Sequence, residues 1–200
     1  MKVSQRIKAV SIAAFVLLLA ACASSGPRIT SEVDPQADFG KYRTFGFYSP
    51  LALESGGYAT PTSDRIKAAT RAQMESRGYV YSAEQPDLWV NINGNLQERT
   101  DVSTVPSMDY ARYYGYRGRG MYAVPMWTEE TRVSQYTEGT LNIDVIDRAQ
   151  NKMVWEGIAV GRVSKNVKPE ERAARIDSAV ADIFAKFPYR AGSGTPAATP

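Results

Sequence analysis

The stretch YTEGTLNIDVIDRAQNKMVWEGIAVG, residues 136–161, decides the fold because it holds two strand-like runs joined by a short polar break. Apolar residues at 141, 143 and 145 alternate with polar ones, which is typical of a β-strand with one buried face. A connection at 148–151 predicts an antiparallel hairpin. In that hairpin Val145 lies opposite Val154 and Ile143 opposite Glu156, with Trp155 on the face that Asp144 occupies.

The flanking segments supply the rest of one domain at residues 29–189. Alternating or aromatic runs predict further strands at 29–33, 42–48 and 87–96. Helical spacing of apolar residues predicts helices from Thr62 to Gly78 and from Lys168 to Lys186. We therefore expect an α+β fold: a mostly antiparallel sheet of about five strands with two helices packed on one face.

The N-terminus has the pattern of a secretory signal. Basic residues precede an apolar run that ends at Leu19-Ala20-Ala21-Cys22, and this run is too short for an ordinary membrane span. The pattern resembles a bacterial lipobox, which predicts a signal peptide at 1–21, a lipid on Cys22 and a lipidated tether at 22–28. The alternative is an ordinary signal peptide with an incidental cysteine. Enteric lipoproteins that stay in the inner membrane have an aspartate after the lipidated cysteine, whereas this chain has Ala23. We therefore expect the protein to lie in the outer membrane of a Gram-negative cell, facing the periplasm.

Composition excludes several classes of chemistry. The chain has 24 basic and 21 acidic residues, and the predicted signal removes three basic ones, so the mature chain is formally neutral and no nucleic-acid partner is expected. There is no histidine, and the single cysteine is assigned to lipid. Triads that need histidine, Cys–His nucleophiles and the usual zinc sites are thereby excluded. We predict no cofactor, no metal and no catalytic residue, and a flexible tail at 190–200.

Two rival functions remain open. Asp144, Asp147 and Glu156 form the one candidate cluster for a carboxylate-dependent glycan hydrolase. The plainer interpretation is a solvated strand residue, a turn cap and an ion-pair partner. A small apolar ligand or lipid held between sheet and helices is the other alternative.

Residues 98–131 depart from any regular pattern and predict a long loop rich in tyrosine, glycine and arginine. Tyrosine and arginine together are typical of interaction surfaces. The candidate partner-binding residues are Tyr113, Tyr114, Tyr116, Arg117 and Trp127. An envelope protein, or an anionic glycan or lipid head group, would suit them, whereas the alternative is a solvated loop without a ligand. The glycines at 115, 118 and 120 lack the lysine and following helix of a phosphate loop.

Several short motifs match a known family. They are Glu138-Gly139-Thr140-Leu141, Asp144-x-x-Asp147, Val154-Trp155-x-Gly157, Tyr42-x-Thr44-Phe45-x-Phe47, Gly78-Tyr79, Pro86-Asp87-Leu88 and Ile183-Phe184-x-x-Phe187-Pro188. Over residues 31–189 the chain resembles the bacterial lipoprotein family known as domain of unknown function 4136. The resemblance implies an anchored α+β domain of the envelope and no agreed activity. We therefore expect a non-enzymatic structural or interaction module.

Overall fold

The computed structural model describes residues 26–114, 121–164 and 166–193. These residues form one six-stranded sheet of order β1-β6-β5-β4-β2-β3 and two α-helices. The strands are β1 Arg28–Val33, β2 Thr44–Phe47, β3 Val80–Tyr81, β4 Leu88–Tyr114, β5 Met121–Asp147 and β6 Lys152–Val163. The helices are α1 Pro61–Ser76 and α2 Pro169–Phe184, and short 3-10 turns cover Phe39–Lys41 and Ala52–Glu54. Neither helix in these ranges has the length and apolar character needed to cross a membrane.

The sheet is mixed, so the prediction of a mostly antiparallel sheet of about five strands is wrong in its finer terms. β1–β6, β5–β6 and β4–β5 are antiparallel, whereas β2 is parallel to both β3 and β4. A parallel pair needs a long crossover connection, and α1 supplies it between β2 and β3. Side-chain alternation is the same in both kinds of pairing, so the sequence did not reveal strand direction.

The predicted β5–β6 hairpin is confirmed, but its predicted register is wrong. Val145 lies opposite Trp155 and Ile143 opposite Gly157, with a register shift next to Val145. Val154 is the extra residue of a β-bulge, and one extra residue moves the following side chains to the other face. Trp155 therefore enters the core, where 1% of its surface is exposed.

Both helices begin at signals that the sequence carries. Thr60 accepts a hydrogen bond from the Ser63 N–H at 3.0 Å, and the Ser63 hydroxyl accepts one from the Thr60 N–H at 2.8 Å, so the first turn of α1 is capped from both sides. Pro61 and Pro169 occupy first-turn positions, where a missing N–H costs nothing. Arg65 and Asp177 form an ion pair that links the two helices.

The core lies between the helices and one face of the sheet. Ile66 and Met74 of α1 and Val180, Ile183 and Phe184 of α2 are buried there. A side chain at Gly157 would come within 2.5 Å of Ile183, so only glycine allows α2 to approach the sheet this closely.

The predicted loop at 98–131 is wrong for its described parts. Residues 98–114 continue β4 and residues 121–131 continue β5, and each position from Glu98 to Tyr114 has a partner between Met121 and Thr137. Because the backbone groups of the two strands can satisfy one another, the segment needs no helix to order it. We call residues 98–114 and 121–137 the arm, and the other described residues the body.

The two prolines of the arm fit this ribbon without breaking it. The Tyr48 N–H donates to the Val90 carbonyl at 2.9 Å, so even-numbered residues of β4 turn their backbone groups away from β5. The β4–β5 register is continuous, which gives Pro106 the same direction as Val90, and Pro125 lies opposite Tyr110, another even-numbered residue. Both proline nitrogens face the open edges of the arm, where no bond between β4 and β5 is lost.

Candidate interaction surface

The arm begins beyond the point where the neighbouring strands β2 and β6 end. β6 ends with Val163 opposite Thr137, and β2 ends beside Val90, so from Glu98 outward β4 and β5 pair only with each other in the described part of the chain. The 17 residue pairs from Glu98–Thr137 to Tyr114–Met121 correspond to about 55 Å of ribbon. A two-stranded ribbon alone in water is of marginal stability. The arm is therefore suited to contact another surface.

One face of the arm continues the face that is buried in the body. Directly opposite residues of antiparallel strands share a face, and the pairs Val90–Val145 and Ile92–Ile143 lie under the helices with 0% exposure. The same face of the arm carries large apolar side chains that are exposed. We call this set the apolar face: Val102, Met108, Tyr110, Met121, Trp127 and Val133.

The centre of the apolar face is a cross-strand pair. Met108 of β4 lies directly opposite Trp127 of β5. Half of the methionine surface and 72% of the tryptophan surface are exposed, although both types are usually buried. Val102 and Val133 form a second such pair. Exposed apolar residues clustered in this way are typical of a binding surface.

The opposite face of the arm root is held by charges. Arg99 pairs with Glu138 at 3.0 Å. Arg162 of β6 lies 3.9 Å from the Asp101 carboxylate, and its guanidinium carbon lies 4.0 Å from the centre of the Tyr136 ring. These contacts join the end of β6 to both strands of the arm.

A shallow cleft of about 560 Å³ opens at the same root. It is lined by Glu98, Gln135, Tyr136, Thr137, Arg162, Val163, Ser164 and Arg175. The lining mixes both charges, and the Thr137 hydroxyl donates to Glu98 at 3.2 Å, whereas Arg175 pairs with Glu171 at 2.6 Å. Because these side chains already bind one another, the cleft has no single preference for anions or cations.

The described chain starts beside the arm root. Pro27 lies against Gly161, where an added side chain would be 3.1 Å from the proline Cβ. Arg28 then pairs with Val160, and β1 runs antiparallel to β6, away from the arm. Read towards the N-terminus, the chain thus leaves the body at the end from which the arm projects.

The predicted site residues differ in where they lie, and some of them lie outside the described residues. Trp127 is the exposed partner of Met108, and the backbones of Tyr113 and Tyr114 form the last residues of β4. Tyr116, Arg117 and Cys22 lie outside the described residues, as does the predicted signal peptide at 1–21. The predicted tail at 190–200 is described as far as residue 193, and the Ala191 N–H still donates to the Arg77 carbonyl at 3.0 Å.

The sequence prediction missed Val102, Met108, Tyr110, Met121 and Val133. Their signal was present as a two-residue period on each side of the central glycines. It was hard to detect because threonine, glutamate, arginine and proline share the same face at residues 98, 100, 104, 106, 112, 125 and 129. Only the register shows that the apolar residues of both strands fall on one side.

Two of the candidate carboxylates meet, on the face of the sheet opposite the helices. Asp144 lies directly opposite Glu156. Each accepts a hydrogen bond from an amide, Asn91 to Asp144 at 3.1 Å and Asn142 to Glu156 at 2.9 Å. Burial, together with the charge of Glu156, raises the pKa of Asp144 despite the hydrogen bond from Asn91.

Asp147 has a structural role. Its side chain is 1% exposed and accepts hydrogen bonds at 2.8 Å from both Lys41 and Tyr42. Burial raises its pKa, but the bonds from Lys41, the Gln150 N–H and Tyr42 outweigh that effect and bring the pKa to about 2. A carboxylate held in this way joins the β5–β6 turn to the start of β2. Among residues 26–114, 121–164 and 166–193 no group of three acidic or thiol side chains is placed to hold a metal ion.

Comparison with known proteins gives a family. The family model described as Domain of unknown function (DUF4136) matches residues 29–189. No curated protein sequence matches the chain.

Solved structures resemble it at low identity. A PDZ domain protein from Parabacteroides distasonis is 15% identical with a TM-score of 0.46, over 86% of this chain and 39% of that one. A DUF4136 family protein from Bacteroides thetaiotaomicron is 18% identical with a TM-score of 0.49, over 86% and 100%. The PelC dodecamer from Paraburkholderia phytofirmans is 9% identical with a TM-score of 0.44, over 82% and 99%.

Proposed function

We propose that this chain, which belongs to the DUF4136 family, is a non-enzymatic interaction module of the bacterial envelope, anchored by lipid on Cys22 and facing the periplasm from the outer membrane. The observation that carries the interaction role is the arm, whose apolar face lies exposed outside the body. Burying Trp127 and Met108 alone would contribute several kcal/mol of binding free energy, at about 25 cal/mol per Å². The arm is the part of the molecule that engages a partner.

The lipid anchor rests on the sequence. The motif Leu19-Ala20-Ala21-Cys22 follows a basic and then apolar N-terminus. Two or three acyl chains suffice for stable membrane attachment, since each buried methylene contributes about 0.8 kcal/mol. The lipid sets the location of the protein, and the arm sets what it contacts.

The proposal is tested by crosslinking in cells followed by purification and mass spectrometry. Four proteins are compared: wild type, Cys22→Ala, the apolar-face variant Met108→Ser/Trp127→Ser, and the control Val124→Ser/Met126→Ser. The control residues lie on the other face of the arm with 48% and 46% exposure. We expect Cys22→Ala to lose metabolic labelling by palmitate and membrane association, and, of the two arm variants, only the apolar-face variant to lose its crosslinks to envelope protein or to lipid. An identical set of crosslinks from the two arm variants would refute the role of the apolar face.

A carboxylate-dependent glycan hydrolase is the second candidate. It is favoured by the direct opposition of Asp144 and Glu156 and by the raised pKa of Asp144, because glycoside hydrolases act through a pair of carboxyl groups of which the acid has a raised pKa. Asp144→Asn and Glu156→Gln should each abolish any turnover of purified cell-wall glycan. Equal turnover by the wild type and both variants would remove this candidate.

A further inference from the structure

We propose that the occupant of the apolar face is a lipid surface: the arm lies against the bilayer in which the protein is anchored. This inference rests on the proposed lipid at Cys22 and names the partner of the arm. Two observations carry it, namely the place where the N-terminal chain leaves the body and the side chains of the apolar face.

The position of the N-terminus limits where the bilayer can be. Pro27 lies against Gly161 at the arm root, and the five residues from Pro27 back to Cys22 span at most about 17 Å. The far end of the body, at Lys152, is nine residues along β6 from Gly161, which is about 30 Å. If the arm pointed straight away from the bilayer, the body would separate the bilayer from the root, and the tether would be too short. The arm therefore lies along the bilayer or points towards it.

The outer arm and the sequence between its two strands carry both charges. From Tyr110 to Thr128 the sequence holds three arginines and no aspartate or glutamate. Of these, Arg112 is described, and it lies on the apolar face, two residues along β4 from Tyr110 and opposite Ala123. Near a bilayer each such charge gains about 1 kcal/mol from anionic lipids. Asp109 and Glu129 border this stretch in the arm, and at the root Asp101 and Glu138 pair with arginines.

The side chains of the apolar face fit the interfacial layer of a bilayer. Tryptophan and tyrosine concentrate at this depth because each has an apolar ring and a polar atom. Trp127 and Tyr110 are flanked by Met108 and Met121, and all four are more than half exposed. Arg112 can keep its charge at the head groups while its methylenes lie on the acyl chains. The apolar face therefore combines apolar and polar groups, a composition that suits the interfacial layer of a bilayer better than the water-free interior of a protein.

The decisive experiment uses the acylated protein reconstituted into vesicles of phosphatidylethanolamine and phosphatidylglycerol (3:1) that contain brominated acyl chains, which quench nearby tryptophan. Trp89 is half-buried and Trp155 is buried in the body, so Trp127 should account for most of the quenching. We expect Trp127→Phe to lower the quenched fraction of the fluorescence at least about threefold. Equal quenching of wild type and Trp127→Phe would overturn the proposal.

A second measurement separates this inference from the proposed function. The chain from residue 22 with Cys22→Ser, which lacks only the lipid, is sedimented with the same vesicles without bromine. Adding Met108→Ser/Trp127→Ser should weaken binding at least about tenfold, as expected for the loss of two buried apolar side chains, whereas Val124→Ser/Met126→Ser should change it less than about twofold. Equal losses would overturn the inference while leaving acylation of Cys22 untouched.

Other occupants of the apolar face give other results. If a second copy covers it, sedimentation equilibrium will show an oligomer that the Met108→Ser/Trp127→Ser variant dissociates, with vesicle binding unchanged. If an envelope protein covers it, that protein will be crosslinked in cells in an arm-dependent way, again without vesicle binding. Either outcome overturns the lipid assignment, and the second still supports an interaction module.

Discussion

The body and the arm use the same two strands and the same face in different ways. Val90 and Val102 lie twelve residues apart on β4 and point to the same side, yet the exposed fraction is 0% for Val90 and 61% for Val102. In the body two helices cover that face, and in the arm no described element does. The difference shows that alternation fixes which side chains share a face, whereas burial depends on what lies against the face.

The largest expected effect tests that difference directly. Val90→Ala should lower the free energy of unfolding by about 2.5 kcal/mol, because it removes two buried methyl groups and leaves a cavity. Val102→Ala is the matched control and should change it by less than about 0.5 kcal/mol. Urea unfolding followed by circular dichroism measures both. A cost above about 1.5 kcal/mol for Val102→Ala would mean that the arm face is covered in the isolated protein.

A polar change in the body should come next in size. Asp147 has its pKa lowered to about 2 from 3.8, so its ionised form favours the folded state by about 2 kcal/mol at neutral pH. This contribution is present above about pH 4 and is lost as the pH falls towards 2, because the carboxylate takes up a proton in the unfolded chain at a higher pH than in the folded chain. Asp147→Asn should therefore cost about 2 kcal/mol at pH 7, and the difference from wild type should shrink in acid.

The measurement for Asp147 is a series of urea unfolding curves from pH 2 to pH 7. Asp101→Asn in the arm is the control, because its side chain is 56% exposed and its ion pair is loose at 3.9 Å. Exposed pairs of this kind contribute little. If Asp147→Asn lowered the free energy of unfolding by the same amount at every pH, the variant would have lost the hydrogen-bond geometry of the site and not its charge.

The smallest effect on global stability should come from proline in the arm. Val124 lies opposite Ala111 and turns its backbone towards β4, whereas Ala123 faces the open edge as Pro125 does. Val124→Pro should remove a bond between the strands and speed amide exchange in residues 98–114 at least tenfold, and Ala123→Pro should not. Hydrogen exchange measured by mass spectrometry distinguishes them. Both variants should keep the global free energy of unfolding within about 1 kcal/mol of wild type.

Most of the local structure of the body could be predicted from the sequence. Both helices begin at prolines, α1 is also capped by Thr60, and the β5–β6 hairpin was visible from alternating apolar residues. The predicted register of the hairpin is wrong at Val154. A β-bulge there shifts Trp155 to the other face of the sheet, and a bulge cannot be recognised from residue composition. The predicted antiparallel pairing is wrong at β2. This strand is parallel to β3 and β4 because the chain passes through α1 before it returns to the sheet.

The predicted site residues and the apolar face share Trp127, whereas the predicted loop is wrong for the described residues. Tyrosine, arginine and glycine between residues 98 and 131 indicated an interaction surface, and Trp127 is part of the apolar face. The sequence predicted a loop there instead of a two-stranded ribbon, because the prolines at 106 and 125 interrupt the alternating pattern of a strand. Only pairing shows that both prolines face an open edge.

The sequence by itself determined the lack of histidine and most strand and helix segments of the body, and it predicts an N-terminal signal with a lipobox. These features depend on residue type and local spacing, which a single chain displays directly. The tertiary structure alone decided that residues 98–114 and 121–137 pair as an arm, that the apolar residues of the arm share one exposed face, and that Pro27 lies beside the arm root. Each of these depends on which distant segments pair and on what covers them, and no local pattern contains that information.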